Sequence, residues 1–358
     1  MRPAMTSAEL PPESVEPRWK RWGALLLKVG ISFLALYFTW RLLAGLDWNE
    51  LAGRLAEASW FYLTPAILFL LARWAAWDWR FRLAAREAVG LSPGTVLGYF
   101  VLKASAALNL ITPSARLIGG LMRARYFARA AGRPFGLLYG VVLYDQIAHH
   151  VVMITATWIA LIATAWTVGR TGLSLAAAAA LVAVAAGLFL WGRRGRFETN
   201  PLVRFLARRA ERAEGRMQRF YTHGHEAVHT FVRLLGRPPL HLRAALLGLL
   251  YVVFNVGAQY LVFLALGQPI DLLVVFAGVS LGVAAGTLTG TPGGLGTTEA
   301  AMVASFTTLG VDRVEAAAGT LLFRGLHYAT VLGLGLPALL VLEFRLPQTP
   351  AEAAGEEG

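Results

Sequence analysis

The stretch that decides the fold is "GTLTGTPGGLGTTEAA", Gly286 to Ala301. Taken alone it resembles a phosphate-gripping loop: glycines and threonines, a break at Pro292, then a helix-compatible run carrying one acid, Glu299. No Lys-Ser/Thr follows the glycines, so a Walker-type loop is a poor fit. Its surroundings settle its setting, because "DLLVVFAGVSLGVAA" precedes it and "MVASFTTLG" follows, both apolar. Irregular backbone at membrane depth survives only where protein or a watery cavity covers it, since unsatisfied amides cost several kcal/mol in lipid. This knot is therefore expected inside a protein-lined interior.

Working outward, the whole chain reads as membrane protein. Of its 358 residues 56% are hydrophobic and 15% charged, against about 25% charged in an ordinary soluble domain, and mean hydropathy is +0.55. Runs of roughly 20 apolar residues, enough to span a bilayer, fall at 23–44, 60–79, 135–166, 173–191, 241–266 and 316–342. Two more apolar segments, 94–130 and 271–310, are interrupted, the first at "NLITPSARLIGG" and the second at the opening stretch. The absence of cysteine excludes disulfides and thiolate chemistry. The polar, proline-containing start carries no cleavable leader pattern. The net charge of +12 fits basic loops held on the cytoplasmic side of a membrane; no nucleic-acid motif accompanies it, so nucleic acid is not an expected partner.

The interrupted segments behave as two copies of one unit. Thr112-Pro113 recurs at Thr291-Pro292, an offset of 179 that also carries Tyr144-Asp145 onto Phe323-Arg324. Paired broken segments in the two halves of a membrane chain point to a transporter-like binding site. If each is a re-entrant hairpin, 24 basic residues lie on the cytoplasmic side and four outside (Arg41, Arg54, Arg170, Arg313), with five inside the membrane segments. The count on the inner side includes Arg80, Arg123 and Arg129. If 94–130 crossed the membrane instead, its arginines would be separated from the other basic loops, against the positive-inside rule. Three full spans then separate the hairpins, so one dips in from each side.

The expected fold is thus all-α and polytopic. It has about six full transmembrane helices and two oppositely oriented re-entrant hairpins in an inverted repeat. A cytoplasmic tail over 1–22 precedes a single transmembrane domain over 23–345. Repeat one covers about 60–167, a basic amphipathic cytoplasmic segment 193–240, and repeat two about 240–345. A cytoplasmic tail over 346–358 closes the chain.

Charges inside apolar segments are costly and therefore paired or functional. Arg116 on the first hairpin is expected to face Asp145 on the next span, and Glu299 on the second hairpin to face Arg324 on the last. The signs are swapped between copies. Two readings of these pairs stand side by side: structural bridges pinning each hairpin, and a lipid-headgroup or ion-coupled site. Lys103, on the entry limb of the first hairpin, reaches a phosphate in one reading and snorkels to the interface in the other. Gly278, Gly282 and Gly286 make a small-residue stripe for close helix approach. Pro113 and Pro292 mark the hairpin tips. Gly293, Gly294 and Gly296 belong to the second tip, where backbone amides opening the next helix would face an anion.

Other polar groups carry blander expectations. Asn255 and Gln259 tie helices together, and His149, His150 and His327 are structural histidines in apolar spans. His223, His225 and His229 lack the acidic or cysteine company of a metal site, and no metal or cofactor is expected. "WAAWDWR", Trp74 to Arg80, reads as an interfacial aromatic anchor.

The residues "TGTPGGLGTTEAAMVASFTTLGV" (289–311) and "AGTLLFRGLHYATVLGLG" (318–335) resemble the flippase-like membrane module of lysylphosphatidylglycerol synthases. The resemblance rests on Pro292, Gly293, Gly294, Gly296, Glu299, Ala300 and Arg324. Pro113, Arg116, Gly119, Gly120 and Asp145 carry the weaker first-half motif, with Ser114 where a glycine is usual. It implies translocation of an anionic or aminoacylated lipid between leaflets of the cytoplasmic (inner) membrane. Membrane lipids are then the partners, a separate lipid-modifying enzyme is a further one, and the chain is a transporter rather than an enzyme. The aminoacyl-transferase domain of the synthases is not expected after "LEFRLPQTPAEAAGEEG", nor is lysyl transfer. A membrane-embedded transferase and a scaffold for one are the competing readings.

Overall fold

A computed structural model of the chain describes residues 47–90, 94–112, 117–167, 169–172, 174–176, 178–179, 201–289 and 291–346. Every regular element among them is helical: α1 (Trp48–Ala56), α2 (Trp60–Val89), α3 (Thr95–Ile111), α4 (Leu117–Ala131), α5 (Phe135–Thr167), α6 (Pro201–Arg212), α7 (Gly215–Leu235), α8 (Pro238–Ala265), α9 (Leu272–Thr289), a 3-10 turn (Pro292–Gly294), α10 (Thr297–Thr308) and α11 (Arg313–Arg345). Five of them, α2, α5, α8, α9 and α11, are long and apolar enough to cross a bilayer. The protein is a polytopic all-α membrane protein. The expected span at 23–44 lies outside the described residues, as does most of that at 173–191.

Two antiparallel helical hairpins replace what would otherwise be simple spans. In the second, Gly278 meets Phe306, Gly282 meets Met302 and Gly286 meets Thr298, a register in which one limb runs back along the other. The stripe of glycines is thus the seam between α9 and α10, because no other side chain would let Phe306 and Thr298 approach so closely. α10 has 12 residues, about 18 Å of helix, short of the roughly 30 Å hydrocarbon core. The first hairpin closes where Gly119 of α4 abuts Ser105 and Asn109 of α3, and the Gly119 amide donates to Asn109 Oδ1 at 3.0 Å.

The order α2–α3–α4–α5 recurs as α8–α9–α10–α11, and the starts of matching helices keep close to the 179-residue offset. Packing repeats too. α3 lies on α11 as α9 lies on α5, and α2 lies on its own counterpart α8. Gly335 of α11 sits against the Lys103 carbonyl and Ala107 of α3, while Thr157 of α5 donates to the Ser280 carbonyl of α9. The central pair α2 and α8 is antiparallel: Ser59 N–H donates to the Ala265 carbonyl at 2.8 Å, and Gly257 receives Phe69. When helices equivalent under a twofold run antiparallel, the axis lies across them. For bilayer-spanning helices that places the axis in the membrane plane, the geometry of an inverted repeat.

Two apolar clusters separate the ends of the molecule. One joins Ala84 and Ala88 of α2 to the base of the first hairpin (Val101, Phe127), the start of α5 (Leu138), α7 (Leu234) and the end of α11 (Leu342). The other joins the start of α2 (Leu63) to the base of the second hairpin (Val275, Phe306), the end of α8 (Val262) and the start of α11 (Ala316). The bases of the two hairpins therefore lie at opposite ends of the molecule. Their tips meet between the clusters, where Leu110 of α3 packs on Gly293.

The basic segment forms a helical pair, α6 and α7, at the first of these ends. α7 seats on α5 because Gly136 and Gly140, one turn apart, let the His223 and Ala227 carbonyls come close. Arg233 then donates to the Ala88 carbonyl at the end of α2.

Two expectations are corrected by the helix lengths. α2 does not stop near residue 79 but runs to Val89, because its charges are neutralised within the protein: Asp78 takes Arg82 one turn on, at 2.8 Å. And Arg80, Arg123 and Arg129, counted above as cytoplasmic loop charges, are buried. The exposed arginines of that end are others, Arg86 and Arg133 among them.

Candidate functional site

The second hairpin tip is a turn only glycine can make. Gly293, Gly294 and Gly296 have φ of 58°, 70° and 80°, a left-handed region in which a Cβ is strained. The threonines around them satisfy the exposed backbone and one another: Thr289 and Thr297 hydroxyls are 2.8 Å apart, Thr297 donates to the Gly294 carbonyl at 3.3 Å, and Gly294 N–H donates to the Thr291 carbonyl at 2.9 Å. The turn leaves the Gly293 carbonyl facing α11, where Arg324 donates to it at 2.8 Å. The same guanidinium binds Glu299 at 2.6 Å and Tyr328, and the Tyr328 hydroxyl donates to Glu299 at 2.8 Å. Glu299 and Arg324 form the expected pair, with Tyr328 as a third member.

In the first half the described residues give Asp145 partners that the sequence did not announce. Asp145 is fully buried, accepts hydrogen bonds from Arg80 at 2.8 Å and Trp77 at 2.7 Å, and is ion-paired with Arg123 at 2.9 Å. Its described partners are on α2 and α4, where Arg116 was expected; Arg116 and Pro113 lie outside the described residues. The sign swap persists all the same. Arg123 on the return limb meets Asp145 on α5, as Glu299 on the return limb meets Arg324 on α11. Reading Arg123 as a loop charge concealed it, because hydropathy marks where charge is dense and says nothing of where it is neutralised.

Between the hairpin tips lies a cavity of about 380 Å³. Both hairpins line it, the first through Ser105, Asn109 and Arg123, the second through Gly293, Gly294 and Thr298. Long helices supply Arg73, Trp74, Trp77, His149, Tyr251 and Arg324. The "WAAWDWR" reading is corrected here: Trp79 is exposed, but Trp74 is buried and forms a stacked wall with Trp77 at 5.3 Å, to which His149 adds at 4.2 Å. Only one indole of the cluster has the environment of an anchor.

Lys103 does not snorkel. It is fully buried, its Nζ 4.8 Å from the Trp74 ring centre and 5.5 Å from that of Tyr99, with no hydrogen-bond partner among the described residues. Asn255 and Gln259 do tie helices, accepting from Arg73 and donating to the Gly319 carbonyl at 2.9 Å respectively. No group of three metal-ligating side chains occurs among the described residues. His223 has Glu226 at 3.5 Å and His225 stacks on His229.

Sequence reasoning gave Arg73 and Tyr328 no role and placed Trp77 and Arg80 at the membrane interface rather than at the site. The signal was there in the spacing: residues 73, 77 and 80 fall on one face of a helix, so two arginines and an indole share a stripe inside apolar sequence.

A bundle of apolar helices, two helical hairpins and a charged interior cavity define a polytopic all-α membrane protein. The chain belongs to the family described as "Lysylphosphatidylglycerol synthase TM region", whose model matches residues 25–335. It is similar to a UPF0104 membrane protein of Methanothermobacter thermautotrophicus, 24% identical over 335 residues, covering 89% of this chain and 95% of that one. A second UPF0104 membrane protein, from Methanocaldococcus jannaschii, is 31% identical over 100 residues, 28% of this chain and 30% of the relative.

Proposed function

We propose that this chain carries a polar-headed lipid between the leaflets of the cytoplasmic membrane, acting as a flippase without a cofactor. The observation that carries the reading is the cavity. It lies where two hairpins from opposite ends meet, and its wall holds Arg73, Arg123 and Arg324. Buried cations of that number are expensive in a membrane protein, and a headgroup phosphate is a counter-ion that arginine recognises well. Hairpins entering and leaving on one face each, at opposite faces, give each leaflet a gate of its own. Arg324 and Lys103 help receive the headgroup, and Arg116 belongs with them on sequence grounds; Glu299 and Asp145 hold the arginines in place. The end carrying α6, α7 and the exposed arginines is assigned to the cytoplasm, with both termini there. Residues 23–345 act as one transmembrane domain.

Reconstitution of the purified protein into liposomes containing labelled lipids tests this. Leaflet exchange above that of protein-free vesicles is the expected result. New lipid products without exchange would establish the transferase reading instead. Neither activity, together with capture of a lipid-modifying enzyme, would make the chain a scaffold.

A further inference from the structure

Arg73 is a buried guanidinium with no ion-pair partner among the described residues. It sits at mid-length in α2, 3% exposed, and lines the cavity. Its terminal nitrogens meet neutral acceptors, Asn255 Oδ1 and His327 Nδ1, and its Nε has no partner. The rings of Trp74 and Tyr251 stand 5.7 and 5.8 Å from its guanidinium carbon. The charges near enough to be felt are themselves positive, Arg324 and Lys103. The described residues bury six cations, Arg73, Arg80, Lys103, Arg123, Arg129 and Arg324, against three carboxylates, Asp78, Asp145 and Glu299, and Asp78 is taken by Arg82. Asp145 is shared by two arginines and Glu299 is taken by Arg324, and no carboxylate is among the residues that line the cavity.

Arginine does not shed its proton in proteins, and a buried charge without a partner is strongly disfavoured. From its neutral partners and the lack of a carboxylate beside it among the described residues, we infer that the guanidinium of Arg73 is the receptor for an anionic phosphate group in the central cavity, one carried by a lipid headgroup of net negative charge. The inference rests on the translocation reading only for the lipid source of the phosphate. It narrows that reading, because the same excess of positive charge repels an aminoacylated headgroup bearing a free ammonium. Asn255 and His327 orient the guanidinium fork from α8 and α11, while Trp74 and Tyr251 flank it and raise the strength of each charged contact by excluding water.

The test is calorimetric titration of the purified full chain in neutral detergent, with four probes: dioctanoyl phosphatidylglycerol, dioctanoyl phosphatidylcholine, the lysyl ester of the first, and inorganic phosphate. The anionic lipid should bind at least about tenfold more tightly than the other two lipids, the scale of one lost charge-assisted contact. Arg73→Gln should remove that preference. Asn255→Asp keeps the arginine but supplies an internal carboxylate beside it; it should fold and lose the anionic lipid equally, so it decides the matter even where Arg73→Gln folds poorly. Phosphate binding as tightly as the lipid, and lost in both variants, upholds the anion site and assigns it a soluble ligand. Equal affinity for the three lipids, or an unchanged preference in Asn255→Asp, overturns the inference. Anion binding without leaflet exchange in liposomes leaves it standing and removes translocation; exchange without any anion preference does the reverse.

Discussion

Replacing Asp145 by asparagine should damage the fold more than any other single conservative change in the interior. The carboxylate is fully buried and answers two guanidiniums, Arg80 at 2.8 Å and Arg123 at 2.9 Å, besides the Trp77 indole. Asparagine fills nearly the same space, so packing is preserved and the charge alone changes. Breaking one buried ion pair by removing a partner costs about 3–5 kcal/mol. Here two guanidiniums lose their counter-charge at once, and the new amide can accept from only one side, so the cost belongs at or above the upper end of that range. Glu299→Gln is the internal comparison. It strips one arginine, which keeps the Gly293 carbonyl at 2.8 Å and Tyr328, so its cost belongs at or below the lower end. The assay is unfolding of detergent-solubilised protein, followed by loss of the monodisperse peak after graded heating. Combining Asp145→Asn with Arg80→Met should recover part of the loss, since one orphaned charge goes. Asp145→Asn within about 1 kcal/mol of wild type, or milder than Glu299→Gln, would refute the claim that Asp145 neutralises this half of the interior.

The α9–α10 seam makes a steric prediction. Gly286→Ala and Gly282→Ala each meet backbone at 3.2 Å, the Gly294 Cα and the Thr298 carbonyl respectively, but the side chain the first must displace is the short, branched Thr298 and that of the second the flexible Met302; the first should cost about 1–3 kcal/mol in the same heating assay and the second less. Orientation is testable because the chain lacks cysteine: Arg133→Cys and Arg313→Cys, both at exposed positions, should react with impermeant maleimide from opposite sides of the membrane, and labelling from one side would sink the opposed-hairpin arrangement. The pair Glu299→Leu with Arg324→Leu should yield folded protein, since apolar replacement of a whole buried pair is near neutral, yet fail to exchange lipid; wild-type exchange at equal folded yield would assign the pair to the scaffold alone.

How far the sequence could be read depended on the kind of signal. The break at Pro292 and the glycine stripe were legible because backbone rules are local: a run of glycines in apolar sequence has few uses, and its period announced a close helix neighbour, though not that the neighbour is α10. The pairing of Glu299 with Arg324 was legible because both charges stand isolated in apolar helices. The partners of Asp145 were not. Arg80 and Arg123 sit beside other arginines in "DWRFR" and "MRARYFAR", where local density resembles a solvated loop, and only three-dimensional packing shows which members point inward. Arg73 escaped for another reason. Its partners are neutral, on α8 and α11, nearly two hundred residues away or more, and no charge pattern announces a cation that has no acid beside it among the described residues.

The swapped signs bear on how two hairpins could share one cavity. In the second half the acid rides on the hairpin and the arginine on the long helix, so a movement of that hairpin away from α11 takes Glu299 with it and leaves Arg324 facing the cavity. In the first half the arginine rides on the hairpin and the acid on α5. Movement there withdraws Arg123, while Asp145 stays neutralised by Arg80 and the Trp77 indole. The two displacements are therefore unequal in charge: one offers a cation to the cavity and the other removes one, and neither strands a carboxylate in the first half. An anion resting on Arg73 between them gains a second guanidinium when the second hairpin moves and loses a neighbour when the first does. In the proposed translocation, the pseudosymmetric scaffold would supply two gates, and the asymmetry of its charges the difference in affinity between them that a carrier needs.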